Sequence, residues 1–435
     1  MIERLTRLRA SRSGGHAPAS RSGGQAPASR SGGQAALDRN VYLAAIRAGM
    51  VAVVPLTIAG GLFMIAANLP LPGWNATVAP YLPLLQIPVT ATFGVLAIVA
   101  CAAIAYELGR SFGQDAFASA TMAVVVLLMI SLDPVSQTFL PDTLGSRGLF
   151  TAIVVAVVAV RAQKVFADHD LVIRMPAGVP AIVRESFMSL VPLCALILVF
   201  WVVRFGLGFD INTGVQAMFS PLMVALNTLP GILAYALIVT LLWSVGINGD
   251  NAVDVVVAPI FLQYLSANTE AVSHGGTPPF VTAYGFFTTF VNVGGTGATL
   301  ALALLLCRSR DPGYRQVARL SLPTQIFQIN EPIFFGLPIV LNPIFMVPYV
   351  LNALFLTAAT YTLMTWGLIR RPFINVPWTT PPILGHYLVT GGDWRAAVWG
   401  AVSIVMAMAV YYPFARVATA RRGAEGAESA ESKDA

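Results

Sequence analysis

The segment Asn330-Glu331-Pro332 has the residue types of a polar binding site. Glu331 is the one charged residue between positions 320 and 369. If this stretch crosses a membrane, an ionisable side chain there is costly unless it is paired or hydrated, and it is a functional candidate by default. Pro332 removes a backbone donor, and the neighbouring amide and carboxylate can hydrogen-bond a ligand hydroxyl. The alternative is a structural carboxylate that caps a hairpin or pairs with an internal arginine.

A second polar group consists of Asn248, Asp250 and Asn251, between two apolar runs. Their amide and carboxylate groups predict hydrogen bonds to a polar ligand. Asp254 follows one helical turn after Asp250 and is expected to share its face. Such clusters are often simple turns, so a turn at an outer surface and an exposed helix start are the alternatives.

Trp378 and Thr379 lie in the segment Pro377-Trp-Thr-Thr-Pro-Pro382. An indole ring offers a flat face to a ring-shaped ligand, although membrane tryptophans usually anchor at the interface. Other Gly-, Asn- and Pro-rich pieces interrupt the same half of the chain: 246–251, 274–279 and 294–297, the last containing Thr296. Irregular backbone within a membrane persists only where protein buries it or it lines a wet cavity. Broken segments of this kind build the polar sites of transporters.

The elements that position these residues are predicted to be membrane helices. Of the 435 residues, 56% are hydrophobic and 11% are charged, with a mean hydropathy of +0.73. Soluble proteins carry roughly 25% charged residues, and several apolar runs here have the length of about 20 residues that spans a bilayer. The net charge of +6 fits basic cytoplasmic loops, so we expect no nucleic acid partner. Without nucleotide-binding motifs or metal-ligand spacing, we expect neither cofactor nor metal.

Apolar runs in the first half predict five helices, at 41–69, 90–108, 116–132, 149–160 and 187–203. Basic residues are dense before the first run and between Arg161 and Arg184, and none occurs at 69–90. Cytoplasmic loops collect Arg and Lys, so the N-terminus and the 161–184 segment are expected in the cytoplasm. Arg47, inside the first run, is expected to snorkel to that side.

The two ends of the chain have a different composition from the rest. From Ala10 a nine-residue unit occurs three times, as ASRSGGHAP, ASRSGGQAP and ASRSGGQAA. Such sequences bury too little apolar area to fold, so 1–40 is predicted to be a disordered basic tail. A charged tail, also predicted to be disordered, occupies 416–435. Between the tails we expect an N-terminal helical domain at 41–206 and a substrate-transport domain at 207–415.

Several motifs in order make the chain resemble a known family. They are Tyr42-Leu-Ala-Ala-Ile-Arg47 with Pro55-Leu56, Met175-Pro-Ala-Gly-Val-Pro180, Gly294-Gly-Thr-Gly-Ala-Thr299, Asn330-Glu-Pro-Ile-Phe-Phe-Gly-Leu-Pro-Ile-Val-Leu-Asn-Pro343, Pro377-Trp-Thr-Thr-Pro-Pro382 and Gly391-Gly-Asp-Trp-Arg395. The chain resembles the membrane-spanning EIIC sugar permease of the bacterial phosphotransferase system, in the lactose/cellobiose/chitobiose branch. The matching pieces cover roughly 41–415.

The resemblance implies a fold, a site and partners. The fold is an all-α polytopic homodimer in the bacterial inner membrane, with about ten helices per subunit, dimerising first helices and two re-entrant hairpins in the C-terminal half. Both termini are expected in the cytoplasm. Glu331 would accept a hydrogen bond from a β-disaccharide such as cellobiose or chitobiose, and a separate EIIB protein would phosphorylate the sugar from a phosphocysteine. The subunit would not be catalytic alone. The remaining substrate-binding candidates are Asn330, Asn248, Asn251, Asp250, Thr296, Trp378 and Thr379.

One residue departs from the family pattern. Where the family has Gly-Ile-His-Gly, this chain has Gly246-Ile-Asn-Gly249. Asn248 can hydrogen-bond a sugar but cannot titrate near neutral pH, so Glu331 would act alone if a base were needed. An uncoupled sugar facilitator or sensor on the same fold is therefore the alternative function. A proton-coupled exporter that uses Glu331 as a relay is a third possibility.

Overall fold

All regular structure that can be described is helical. The computed structural model describes residues 40–67, 73–173, 181–337, 339–340 and 342–434. Within these ranges there is no β-strand, and one isolated bridge pairs Leu132 with Phe139. The all-α fold predicted from the sequence is confirmed. The motif at 175–180 and the repeats before Asn40 lie outside the described residues.

The described residues of the first half form eight α-helices. Their bounds are α1 Val41–Ala67, α2 Trp74–Val78, α3 Leu82–Phe93, α4 Leu96–Ser111, α5 Ala116–Ile130, α6 Pro141–Leu144, α7 Leu149–Asp168 and α8 Ala181–Trp201. Short 3₁₀ turns occupy Ala79–Tyr81 and Ser146–Gly148, and α8 ends in a π-helical turn at Val202–Gly206. Each of the five predicted runs therefore corresponds to helical structure.

The second half forms nine further α-helices among the described residues. Their bounds are α9 Ile211–Leu226, α10 Leu229–Ser244, α11 Gly249–Ser273, α12 Thr299–Leu306, α13 Pro312–Ile326, α14 Glu331–Gly336, α15 Pro343–Thr365, α16 Pro382–Val389 and α17 Trp394–Asp434. A π-helical turn occupies Phe286–Val291. The irregular pieces predicted at 246–251, 274–279, 294–297 and 377–382 separate or begin these helices.

Seven described helical stretches are long and apolar enough to cross a membrane. They are Val41–Ala67, Ala76–Ser111, Ser146–Asp168, Phe187–Gly206, Gly249–Ser273, Pro343–Thr365 and Trp394–Arg422. The pair α9 and α10, bent by 88°, adds an eighth if the two helices form one span. The polytopic membrane fold is confirmed, whereas ten spans and two re-entrant hairpins stay predictions.

Two helix boundaries differ from those expected. The run predicted at 90–108 belongs to a longer span that breaks between α3 and α4, at Gly94 and Val95. The run predicted to end at 160 continues as α7 to Asp168. It does so because Lys164 pairs with Asp168 at 3.1 Å on the helix surface, so that polar residues continue a helix whose apolar pattern has ended.

The last helix extends into the predicted charged tail. α17 runs beyond its membrane-crossing part to Asp434, through the charged tail expected at 416–435, whose disorder stays a prediction. Alanine, glutamate and arginine, which are frequent here, have high helix propensities. Near the start of this extension, Arg422 pairs with Asp311 at 3.3 Å.

The helix ends gather at two sides of the bundle. At one side Tyr42 and Phe112 lie with ring centroids 5.8 Å apart, and Lys164 Nζ is 5.9 Å from the Phe112 ring. At the other side Gln86 Nε2 donates to the carbonyl of Ser273 at 3.3 Å. We name the first side the proximal end and the second the distal end.

The helices pack in two groups that follow the chain. In the first group α4 contacts α1, α5 and α7, and in the second α15 contacts α10 and α17. α11 also packs against α1 and so joins the groups. This packing is compatible with the domains expected at 41–206 and 207–415, and that division stays a prediction.

Candidate functional site

The first polar group begins helix α11. Asn248 has extended backbone angles, and its side-chain oxygen accepts a hydrogen bond from the backbone N–H of Asn251 at 2.9 Å. Asparagine is among the preferred residues at this capping position because its side chain satisfies an N–H that the helix leaves free. The side chains of Asn248 and Asn251 remain partly and fully exposed, respectively. The turn therefore has a local structural cause, and contact with a ligand stays a prediction for both residues.

Asp250, in the first turn of α11, connects three separate segments. Its Oδ2 accepts from Trp243 Nε1 at 2.8 Å and from Thr296 Oγ1 at 2.5 Å, and its Oδ1 accepts from Asn292 Nδ2 at 3.3 Å. A carboxylate at a helix N-terminus is also stabilised by the helix dipole. These bonds leave Asp250 and Thr296 with little free capacity, so the contacts favour a supporting role. Their direct contact with a ligand stays a prediction.

The glycines of the turn at 294–297, which we call the glycine turn, pack too tightly against their neighbours to be replaced by residues with a Cβ atom. Gly295 and Gly297 have φ of +101° and +75°, a region that favours glycine. A Cβ on Gly295 would lie 2.4 Å from Asn330 Cβ, and a Cβ on Gly297 would lie 2.2 Å from the Tyr349 ring. The Tyr411 hydroxyl on α17 donates to the Gly297 carbonyl at 2.7 Å. The backbone of this turn therefore meets two other helices directly.

The glycine turn is also bound to the segment before Glu331. Gln328 Oε1 accepts from the backbone N–H groups of Gly294 at 2.6 Å and Gly295 at 3.2 Å. Asn330, which is 4% exposed, donates from Nδ2 to the carbonyl of Thr296 at 3.2 Å. Thr296 thus binds Asp250 through its side chain and Asn330 through its backbone. The two motifs that looked separate in the sequence form one hydrogen-bonded unit.

Glu331 is the exposed member of this unit. It begins helix α14, and its side chain is exposed although that of Asn330 is buried. Among the residues that the structure describes, none hydrogen-bonds or ion-pairs with the Glu331 carboxylate. The alternative of an internal arginine partner is thus not met within the described ranges. The buried hydroxyl of Tyr349 lies within electrostatic range of both Glu331 and Asp250.

Trp378 and Thr379 lie in the segment before α16. Among the described residues, they form no hydrogen bond with the unit around Glu331. The Trp378 side chain is 53% exposed, and that of Thr379 is partly buried. The turn is held locally, because Thr380 Oγ1 donates to the Pro377 carbonyl at 2.7 Å. No hydrogen bond in the described part of the chain joins Trp378 or Thr379 to the glycine turn. Their contact with a ligand stays a prediction.

Four residues of the site were not predicted from the sequence. Gln328, Trp243 and Asn292 hold the glycine turn and Asp250, as given above. Gln328 has a φ of +67°, unusual for a residue with a side chain, but no sequence pattern indicates that angle. Tyr349 is an ordinary aromatic residue in an apolar run, so only its position against the turn marks it.

Arg47 on α1 and Asp250 on α11 both lie within electrostatic range of Asp254, which is also on α11. Asp254 interacts with Asp250, as expected for residues that share a helix face, and it is partly buried rather than exposed. Arg47 is itself partly buried, and the expected reach of its side chain to water stays a prediction.

A family model shows the class of protein to which this chain belongs. Residues 47–353 match the model described as "Phosphotransferase system, EIIC". The chain therefore belongs to the EIIC family of sugar-transporting membrane permeases of the bacterial phosphotransferase system. Members of this family deliver a sugar that EIIB phosphorylates, as the resemblance of the motifs implied.

Individual relatives extend the match over most of the chain. The lichenan permease IIC component of Bacillus subtilis (strain 168) is 36% identical over 403 residues, covering 86% of this chain and 89% of that protein. The cellobiose-specific EIIC component of Geobacillus stearothermophilus is 34% identical over 413 residues, covering 88% and 91%. The lactose-specific EIICB component of Streptococcus mutans serotype c (strain ATCC 700610 / UA159) is 29% identical, covering 91% of this chain and 72% of that protein.

A solved structure confirms the fold. The transporter ChbC, the IIC component from the N,N'-diacetylchitobiose-specific phosphotransferase system, superposes with a TM-score of 0.84 at 31% identity. The match covers 90% of this chain and 96% of ChbC. The family predicted from the ordered motifs is therefore confirmed by sequence and by structure.

Proposed function

We propose that this EIIC permease carries a β-linked disaccharide, such as cellobiose or N,N'-diacetylchitobiose, and presents it to a separate EIIB protein for phosphorylation. The names of the relatives support this sugar class: one is specific for cellobiose and another for N,N'-diacetylchitobiose. The specificity of such a site depends on which sugar hydroxyls find partners. The proposal therefore rests on the side chains that the permease offers.

The exposed carboxylate of Glu331 is the observation that carries the proposal. It has no described hydrogen-bonding partner, while its buried neighbour Asn330 fixes the backbone against Thr296. A carboxylate that accepts from a sugar hydroxyl makes a charge-assisted hydrogen bond, which is stronger than a neutral one. We assign Glu331 as hydroxyl acceptor and possible base, and Asn330 as the residue that holds it in place.

The other predicted residues take secondary parts in this proposal. Asn248 hydrogen-bonds the sugar without exchanging a proton, since an amide does not titrate near neutral pH. Asp250 and Thr296 hold the turn on which Glu331 depends. Trp378 offers its exposed face to a pyranose ring, and Thr379 lines the same segment.

Sugar binding to purified protein tests the role of Glu331. We expect Glu331→Gln to weaken disaccharide binding by about 10- to 100-fold, because a hydrogen bond to a charged group contributes about 1.5–3 kcal/mol. Isothermal calorimetry with a panel of mono- and disaccharides measures the change. The matched control is Glu270→Gln, because Glu270 is also an exposed glutamate but lies near the C-terminal end of α11. Equal weakening by both substitutions, or none by Glu331→Gln, contradicts the assignment.

Coupling to phosphorylation separates this proposal from an uncoupled facilitator. Vesicles supplied with phosphorylated EIIB should accumulate sugar phosphate if the permease is coupled. Entry of free sugar alone, unaffected by EIIB, favours the facilitator. The reason to consider a facilitator is Asn248, which stands where the family has a histidine. In that case Asn248→His is expected to raise the phosphorylation rate by up to about 10²-fold, the low end of what a positioned acid–base group contributes. Transport that ignores EIIB and stops when the proton gradient collapses would instead favour a proton-coupled exporter.

We further propose a homodimer with both termini in the cytoplasm. Lys164 lies at the proximal end beside Phe112, and the pair Arg422–Asp311 follows the membrane-crossing part of α17. Basic residues gather on the cytoplasmic side of membrane proteins, which supports a cytoplasmic proximal end. Labelling of single cysteines introduced at Lys164 and Gln86 from either side of the membrane tests the orientation. Light scattering of the purified protein tests the dimer.

A further inference from the structure

A cavity at the distal end is lined by three arginines. It has a volume of about 290 Å³ and lies between the end of α15 and the start of α17. Arg370, Arg371 and Arg395 line it together with Thr365 and the backbone near Gly276. Neither the polar unit around Glu331 nor Trp378 contributes to this lining. The cavity therefore needs an explanation separate from sugar binding.

One carboxylate, that of Asp393, lies beside this group and pairs with only one of the three guanidinium groups. Asp393 binds Arg395 through two contacts, with Nε at 3.0 Å from Oδ1 and Nη2 at 3.2 Å from Oδ2. It also accepts from the backbone N–H of Arg370 at 2.9 Å. Burial lowers the pKa of the Arg370 guanidinium from its ordinary value, and the Asp393 charge opposes this shift. Arginine nevertheless stays protonated in proteins. Asp393 neutralises Arg395, so the positive charges of Arg370 and Arg371 remain in the cavity.

Arg370 and Arg371 are held by neutral groups. The Arg370 guanidinium lies over the Phe373 ring, 4.4 Å from its centroid. Arg371 Nη1 donates to the carbonyls of Pro278 at 3.0 Å and Pro279 at 2.7 Å. Among the described residues, neither side chain forms an ion pair. Both guanidinium groups are thus fixed in position, with several N–H donors left for a ligand.

The other described arginines of the distal end are ion-paired. Arg147 pairs with Asp142 at 2.5 Å, and Arg204 pairs with Asp210 at 3.1 Å. These pairs precede α7 and follow α8, at the ends of those helices away from Lys164. Unneutralised basic residues are expected on the other side of a membrane protein. We call the cavity lined by Arg370, Arg371 and Arg395 the arginine cavity. Among the described residues of the distal end, the excess positive charge is therefore confined to this cavity.

The residues next in sequence to the lining, which we call its rim, have the composition of a lipid interface. Trp366 and Trp394, which border the lining segments, are 72% and 69% exposed, and Leu368 is 50% exposed. Exposed tryptophans in membrane proteins occur at the depth of the lipid headgroups. A ligand in the cavity would accordingly meet lipid tails on one side and arginines on the other.

We propose that the arginine cavity binds the phosphate headgroup of an anionic phospholipid. Guanidinium groups bind phosphate oxygens with paired, charge-assisted hydrogen bonds. The exposed tryptophans and leucine at the rim favour a lipid over free phosphate, since they would contact its acyl chains. Because α15 ends and α17 begins at this cavity, a bound headgroup would join the two helices.

Lipid retention by the purified full-length protein tests the proposal. Native mass spectrometry after exposure to phosphatidylcholine with and without phosphatidylglycerol counts the bound lipids. We expect selective retention of phosphatidylglycerol, reduced about fivefold by each of Arg370→Gln and Arg371→Gln, as for single basic residues at anionic membranes. Arg147→Gln, an equal change of charge at the same end outside the cavity, should leave retention unchanged.

Three outcomes of the lipid-retention measurements overturn the proposal. They are equal retention of both lipids, undiminished retention in the Arg370→Gln/Arg371→Gln double variant, and equal loss in Arg147→Gln. Displacement of the lipid by inorganic phosphate at equal concentration would assign the site to a free anion and also overturn it. Arg371→Lys preserves the charge and should retain most of the lipid. This variant distinguishes loss of charge from a folding defect caused by substitution at this position. Sugar binding is measured in parallel, so failure of the two proposals is distinguishable.

Discussion

Asp250 binds the glycine turn directly and Glu331 follows Asn330, which binds the same turn, but the surroundings of the two carboxylates differ. Asp250 accepts hydrogen bonds from Trp243, Thr296 and Asn292. Glu331 is exposed, and no residue in the described part of the chain binds it. Both were substrate-binding candidates in the sequence, Asp250 within a polar cluster and Glu331 as an isolated charge. The comparison teaches that a polar residue in a membrane either organises the protein or remains available to a ligand, and that its partners decide which.

The largest effect should come from the turn that both carboxylates share. Gly297→Ala places a Cβ 2.2 Å from the Tyr349 ring at a φ of +75°. We expect a loss of about 4 kcal/mol in unfolding free energy, from overpacking and backbone strain together. Gly367→Ala is the matched control, because Gly367 has a φ of +73° and no atom within 4 Å of its added Cβ. Chemical denaturation in detergent measures both. Equal losses would show that the close packing of the turn is not important.

A smaller effect should separate the two carboxylates themselves. Asp250→Asn puts an amide where three donors converge, and we expect a loss of about 3 kcal/mol in unfolding free energy. Glu331→Gln should change it by less than about 0.5 kcal/mol, as for an exposed side chain. Denaturation midpoints of the two variants, compared with the parent chain, measure the difference. If Glu331→Gln were the more destabilising change, Glu331 would have a structural partner.

A loss smaller than that of Asp250→Asn should arise at the helix cap beside Asp250. Asn248→Ala removes the acceptor of the Asn251 N–H, and we expect a loss of about 1 kcal/mol. Asn248→Ser keeps a capping oxygen and should restore most of the stability while shortening the reach toward a ligand. A sugar affinity that falls in both variants, with stability lost only in the first, would assign Asn248 to binding as well as capping.

The sequence predicted the family, the all-α membrane fold and the isolation of Glu331. These follow from composition, apolar runs and ordered motifs, which are local properties. It did not predict that Asp250 is occupied, because Asn292 and Thr296 lie more than 40 residues further along the chain. The hydrogen bonds from the backbone N–H groups of Gly294 and Gly295 to Gln328 were not predicted for the same reason. Contacts across the chain depend on packing that no single segment encodes.

Arg47 shows a second limit of the sequence argument. Its position inside an apolar run predicted a side chain that reaches water, since no partner lies nearby in the chain. The structure places Asp254, on a helix that begins about 200 residues later, within electrostatic range of Arg47, a proximity that no sequence pattern indicates. Trp378 illustrates the opposite case: its motif identified the family, yet its contacts leave its role to experiment.

The hydrogen bond from Tyr411 to the carbonyl of Gly297 has a consequence for biosynthesis. Tyr411 is translated 114 residues after the glycine turn, on the last described helix. Helices α1 to α15 therefore leave the ribosome before the turn gains this bond. A ribosome-bound nascent chain that stops before Tyr411 should contain the membrane-crossing helices that precede α17 but not the completed turn beside the proposed sugar site. Assembly of the permease would then end with α17 closing the turn.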